Sequence, residues 1–245
     1  MVEYAKGVKG EIDQRPKRFY EQVGVVNGDG GWAVMLDGRP LRTPEKRALA
    51  FPTEALARVI ADEWSAQQER IDLLSMFNTR LANVALDRTP GARAELADEA
   101  AKYAETDLVC HLAEGPAALR DRQEAAWAPL RTWAAEELGV KLAPVAGIVP
   151  ARQADASLEA VRRHAAGLDD LRLTGLSHAV GLTGSAVLGL AVERGRILAA
   201  EAYEHSRIDE AFQAAQWGED AEAARRTERH RAEARALDLW FGAIR

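Results

Sequence analysis

The sequence predicts an α+β fold: a small antiparallel β-rich N-terminal domain with its first helix, residues 1–75, then a larger all-helical C-terminal domain, residues 76–245. Two observations carry this. Up to about Thr53 the apolar runs are short and punctuated by turns, and beyond it apolar residues recur at helical spacing. A third concerns order. Strands come first and helices afterwards, the mark of segregated elements rather than of an alternating βαβ sheet.

The elements follow in sequence. Phe19 to Val26 and Trp32 to Leu36 are apolar runs separated by Asn27-Gly-Asp-Gly-Gly31, a hairpin signal. Asp37-Gly38 is a second turn, and Leu49 to Phe51 suits a further strand, giving a meander of three or four strands. Pro52-Thr53-Glu54 opens a helix in which Leu56, Val59, Ile60 and Trp64 share one face. Ile71 to Asn78 carries no clear periodicity. Thr89-Pro90 reads as an N-cap with proline in the first turn, starting a helix towards Tyr103. Pro116 starts another, ending at Gly139, and Pro144 to Pro150 is a connector. Helices are then expected over about 157–166, as a packed pair within 173–192, over 197–216 and over 219–241.

Composition bounds the function. The 245 residues are 47% apolar and 29% charged with a formal net charge of -6, which is globular but lacks the basic footprint of a nucleic-acid binder. A lone Cys110 can form neither an internal disulfide nor a cysteine zinc cluster, and points to a reducing compartment. The first twenty residues lack the apolar stretch of a secretory signal, so a cytoplasmic location is expected. Leu173 to Val192 is uncharged and long enough to span a bilayer, yet it holds Thr174, Ser177, His178, Thr183, Ser185 and four glycines. It reads as two buried helix segments with Gly181 to Gly184 as a break or close-contact point, so no membrane insertion is expected.

Catalytic and cofactor patterns were sought and none emerged. Gly28 to Gly31 lies between two strand-like runs, whereas a phosphate-cradling loop joins a strand to a helix. Gly181-Leu-Thr-Gly184-Ser185 lacks the lysine of a P-loop, so no nucleotide site is expected. The five histidines show no metal spacing; His164, His205 and His230 read as solvated and His178 as core. Cys110 reads as a buried, inert thiol. No catalytic residue, metal or cofactor is expected.

Several stretches in order resemble the assembly chaperones of the ATP synthase F1 head that bind its α subunit. They are KRFYEQVGV (17–25), LDGRPLRTP (36–44), LARVIADEWSAQ (56–67), TDLVC (106–110), RQEAAWAPLRTW (122–133) and SRIDEAFQAAQWG (206–218). The chain departs from that family at His111-Leu112, Gly184 and Glu222-Ala223-Ala224, and has Asp209 where the family mostly shows glutamate. The resemblance implies a chaperone without cofactor or catalysis that holds an unassembled F1 α subunit until the β subunit replaces it. It also implies that an acidic residue at Asp209 matters for function.

The expected partner-binding residues are Asp209, Glu210, Gln213 and Trp217. Glu210, Gln213 and Trp217 stand at i, i+3 and i+7, one stripe of carboxylate, amide and indole, a composition common at partner contacts. Ile208, Phe212 and Ala215 form a separate apolar stripe able to face the core. Trp64, Trp127 and Trp133 lie on apolar helical faces and read as core. Trp217 reads equally as a staple closing its helix before Gly218. A monomer is expected. From the residues alone two rivals stay open: a scaffold or regulator with another protein partner, and a hydrolase or transferase using Asp, Glu and His side chains.

Overall fold

The computed structural model describes residues 13, 15–147, 149–218 and 220–245. The stretch weighed above for targeting lies, through residue 12, outside the described residues, as does Glu219.

Val23–Gly28 (β1) and Gly31–Leu36 (β2) pair antiparallel, with Gly28 opposite Gly31, so Asp29-Gly30 closes the predicted hairpin. Arg39–Pro40 (β3) and Ala50–Phe51 (β4) both pair with the other edge of β2, one at each end. Gly31 sits at φ +99, and a Cβ there would lie 2.4 Å from the Phe51 carbonyl oxygen, so glycine is what lets β4 come alongside. Helix α1 (Glu54–Ser65) starts where Thr53 Oγ1 accepts from the Leu56 amide at 3.2 Å. It lays Leu56, Ile60 and Trp64 into the core, where α1 packs on the sheet, and leaves Val59 half-buried.

The region without periodicity holds a 3-10 turn, Leu73–Ser75, and then α2 (Phe77–Asp87), a helix the sequence did not announce. Its N-cap position, Met76, has no side chain to offer. Glu63 of α1 does the capping instead, accepting from the amides of Asn78 and Thr79, each at 2.7 Å. Burial raises the Glu63 carboxyl above its ordinary pKa against the pull of these bonds.

Helix α3 (Thr89–Glu105) already includes Thr89, which caps nothing: its hydroxyl meets that of Thr174 at 2.6 Å in the interior. Two short parallel strands, β5 (His111–Leu112) and β6 (Val145–Ala146), bracket α4 (Ala117–Leu138), which ends at left-handed Gly139 as predicted. Helix α5 covers Asp155–Ala166. The uncharged stretch becomes α6 (Asp170–Thr183) and α7 (Ala186–Glu193), broken at Gly184 with φ +68. The close contacts fall at Gly175, against Phe241, and at Gly189, against Val180; Gly181 has open space around it. Among the described residues no helix is long and apolar enough to cross a membrane.

Asp107, from the TDLVC run, is fully buried at the α6–α7 break. Its carboxylate accepts from the amides of Val109 (3.2 Å) and Val187 (3.0 Å), and burial pushes its pKa up to about 6. Cys110 is buried as expected, and burial, with Asp107 adding to it, pushes its thiol up to about 12.

The helix expected over 197–216 is two: α8 (Ala199–Ser206) and α9 (Ile208–Trp217). In an unbroken helix the His205 carbonyl would take the Asp209 amide. Here the Trp127 indole takes that carbonyl, at 2.9 Å, and the chain turns at Arg207. Helix α10 (Ala221–Ile244) closes the fold against α1, α2, α6 and α8. Trp64, Trp127 and Trp133 are core residues, as their periodicity predicts, and Trp240 joins them.

The histidines expected in solvent are half-buried and partnered. His164 meets the fully buried Glu193 at 2.8 Å, His205 lies 3.4 Å from Glu201, and His230 stands edge-on to Tyr203. For His164 the cause is Glu193, which is fully buried and also bound by Arg172, so its carboxylate is satisfied only by side chains drawn in towards it. His178 packs edge-on against Phe77, and burial lowers its pKa.

Candidate functional site

Helix α9 differs from its neighbours in having no buried residue along its ten positions. Its inner face rests on α4 through half-buried Ile208 and through Phe212, which lies under the Arg122 guanidinium at 5.3 Å. Ala215, expected on that apolar face, is exposed, because α9 has by then run past the body it leans on.

The four residues predicted for partner binding divide. Glu210, Gln213 and Trp217 are all exposed and line one groove of ≈ 530 Å³ between α9 and α10, as their i, i+3, i+7 spacing requires. Asp209 is turned the other way. Its carboxylate accepts from Gln123 Nε2 of α4 at 2.8 Å, and Gln123 is only 1% exposed, with its Oε1 taking the Ala113 amide at 2.7 Å. Asp209 thus anchors α9 to the core while Glu210 faces the groove.

Trp217 is 78% exposed, at the last turn of α9. It does not staple the helix end: Gly218 leaves the helix at φ +87 and the indole stands out over the groove mouth. An exposed indole of that extent is uncommon unless something covers it.

The opposite wall was missed in the sequence. It comes from α10, where Ala223, Arg226, Thr227 and His230 stand at i, i+3, i+4 and i+7. The floor is lined by Tyr203 and Leu182, with Arg207 at the side. The α10 stripe was legible as a stripe; nothing local says that it faces α9. The groove therefore presents an indole and a floor of tyrosine and leucine, with carboxylate and guanidinium groups among its lining. That composition is common at protein–protein contacts. Among the described residues no three His, Cys, Asp or Glu side chains gather as a metal site.

Comparison with known proteins follows the same line. The model for the ATP12 chaperone protein family matches residues 17–135. The crystal structure of Atp12 from Paracoccus denitrificans is 44% identical and superposes with a TM-score of 0.87, covering 94% of this chain and 99% of that one. The chain belongs to the ATP12 chaperone family. The Atu1473 protein of Agrobacterium tumefaciens shares this fold at 34% identity and a TM-score of 0.87, over 94% of this chain and 87% of that one. Mitochondrial atp12 of Schizosaccharomyces pombe is 25% identical over 224 residues, 84% of this chain and 75% of that protein. As a member of the ATP12 family the protein is an ATP synthase assembly chaperone. The family match ends at residue 135, so it does not itself reach α9 or α10; the structural match covers 94% of the chain.

Proposed function

We propose that the protein binds the unassembled α subunit of the F1 sector through the α9–α10 groove and holds it until the β subunit takes its place. Family membership supports the assembly role, and the resemblance carried by the six ordered motifs implies the α subunit as partner. The observation that carries the site is Trp217, an exposed indole beside Glu210 and Gln213 on a helix that buries nothing of its own. A subunit awaiting an obligate ring exposes an apolar interface that aggregates when unpaired, and covering it reversibly prevents that. The partner later has to displace the chaperone, which suits a small site with a polar rim better than a wide apolar one. On this reading the protein is a monomeric, cofactor-free binder of the cytoplasm.

The test is capture of isolated F1 α by the full chain, with Trp217→Ala and Glu210→Lys as variants. Both side chains are exposed, so near-native melting is expected. Capture should weaken by about 2–4 kcal/mol for the indole, in the range of interface hot spots. Wild-type protein should suppress aggregation of F1 α and leave when the β subunit is added. Unchanged capture by both variants removes this groove from the site. Stoichiometric retention in assembled F1 would make the protein a structural subunit instead.

A further inference from the structure

A second groove lies on the far side of α10. Arg226 and His230 line the first; Arg235 and Leu239, nine residues further on in each case, line the second. Nine residues at 3.6 per turn is two and a half turns, so the two grooves face opposite sides of the same helix.

This second groove, of ≈ 870 Å³, is built from two helical stripes. Helix α1 with its C-cap contributes Val59, Asp62, Glu63 and Ala66, and α10 contributes Ala232, Arg235, Ala236 and Leu239. Each set stands at i, i+3, i+4, i+7, so two helices packed side by side leave a trench along their seam. Between the two helices the trench is lined by half-buried Val59 and Ala236 and by Leu239, which is 58% exposed; the rest of its lining is largely polar and charged.

Its charge is unbalanced. Arg15 is held by Asp13 at 2.8 Å and by Asp72 at 3.3 Å, and Arg70 by Asp13 at 3.5 Å. Arg235 is held by Glu228 at 2.8 Å. Glu63 is committed to the α2 amides. Asp62 and Glu69 are left exposed, with no cation at ion-pair distance among the described residues. A trench with an apolar strip along the seam of two helices is the shape that receives the apolar stripe of a third, and an unpaired acidic rim selects a cationic one.

We propose that the α1–α10 groove is a second docking surface, taking a basic amphipathic helix of a protein partner. Leucines at i, i+3, i+4 and i+7 would lie along Val59, Ala236 and Leu239, and flanking lysines would meet Asp62 and Glu69. The site is separate from the F1 α groove, so it leaves that surface open for simultaneous use.

The probe is a fluorescently labelled Leu/Lys peptide of four helical turns with leucines in that register. Two controls accompany it: a scrambled isomer of the same composition and a Leu/Glu counterpart. Anisotropy with the full chain at physiological salt should give saturable binding of the Leu/Lys helix. The scrambled and Leu/Glu peptides should bind at least about tenfold more weakly. Asp62→Lys and Leu239→Glu should each weaken binding about tenfold or more, while Glu210→Lys, in the other groove, changes nothing. Both altered side chains are exposed, and a thermal melt checks that each variant is folded. The proposal is overturned by equal binding of the scrambled peptide, by no binding at all, or by binding that survives both variants. Self-association of the wild type that Leu239→Glu abolishes also overturns it, since the occupant is then a second copy. Because Glu210→Lys tests the first groove alone, failure here is separable from failure of the F1 α reading.

Discussion

Asp209 and Glu210 are neighbours in sequence and make opposite contacts, so replacing each by lysine should separate folding from binding. Asp209 is half-buried and is the acceptor for Gln123 Nε2 at 2.8 Å. Removing it strands a donor on a residue 1% exposed, an orphan that costs about 1–3 kcal/mol. Asp209 also lies in the first turn of α9, where a carboxylate complements the helix dipole by about 0.3–1 kcal/mol and lysine reverses that contribution. The two together give a loss of roughly 2–4 kcal/mol for Asp209→Lys. In a chain of this size that lowers Tm by roughly 4–16 °C. Glu210 is exposed and makes no ion pair among the described residues, so Glu210→Lys forfeits only the dipole contribution. Differential scanning calorimetry of the two variants, alongside capture of F1 α, resolves the pair. A double-mutant cycle of Asp209→Ala with Gln123→Ala should show a coupling of about 1 kcal/mol or more. Equal melting of the two lysine variants would refute the orientation of α9, and so would an absent coupling. If Asp209→Lys alone fails to capture F1 α, the loss has to be read through its unfolding rather than as a contact removed.

The remaining expectations concern the α6–α7 junction. Asp107 has its pKa raised from 3.8 to about 6 by burial, so between those values the folded state holds more protons than the unfolded one. Stability contributed by this group is therefore present below about pH 4 and falls as pH rises through 6, by up to about 3 kcal/mol. Asp107→Asn cannot titrate, so the difference in unfolding free energy between wild type and variant should decline across that window in urea melts; parallel curves would refute it. At Gly189 a Cβ would meet Val180 Cγ2 at 2.4 Å, so Gly189→Ala should cost about 1–3 kcal/mol. Gly181→Ala, with nothing within 4 Å, should instead gain about 0.5–1 kcal/mol, and the opposite order by chemical denaturation would sink the packing argument.

Local chemistry was readable wherever the structure is made locally. The β1–β2 turn rests on Asn27 to Gly31, the start of α1 on Thr53 and the end of α4 on Gly139, and each signal lies within a few residues of its effect. What was illegible is made at a distance. Helix α2 has no cap of its own because Glu63, fifteen residues earlier, supplies one. The α8–α9 break has no glycine or proline because Trp127, far back in the chain, claims the His205 carbonyl. The candidate site divides in the same way. The stripe of Glu210, Gln213 and Trp217 follows from helical spacing, whereas its opposing wall on α10 and the inward turn of Asp209 follow from packing that no local window contains.

The split of α8 from α9 also bears on how a chaperone site can work. A single helix over 199–217 would carry Trp217 along the axis of α8, fixed by the buried Ala202 and Tyr203. Breaking the ladder at Arg207 frees α9 to take its own direction, and its tie to the body reduces to Ile208, the Arg122–Phe212 stack and the Asp209–Gln123 bond. With no buried side chain, α9 has little packing to lose on local opening. Across the groove, the stretch of α10 that forms the wall, Ala223 to His230, buries only Thr227; Leu237, Trp240 and Phe241 are buried at the far end of that helix. On the proposed reading, a partner seated in this groove would spend part of its contact energy on ordering α9, which would limit affinity without shrinking the contact and so would ease displacement by a later subunit.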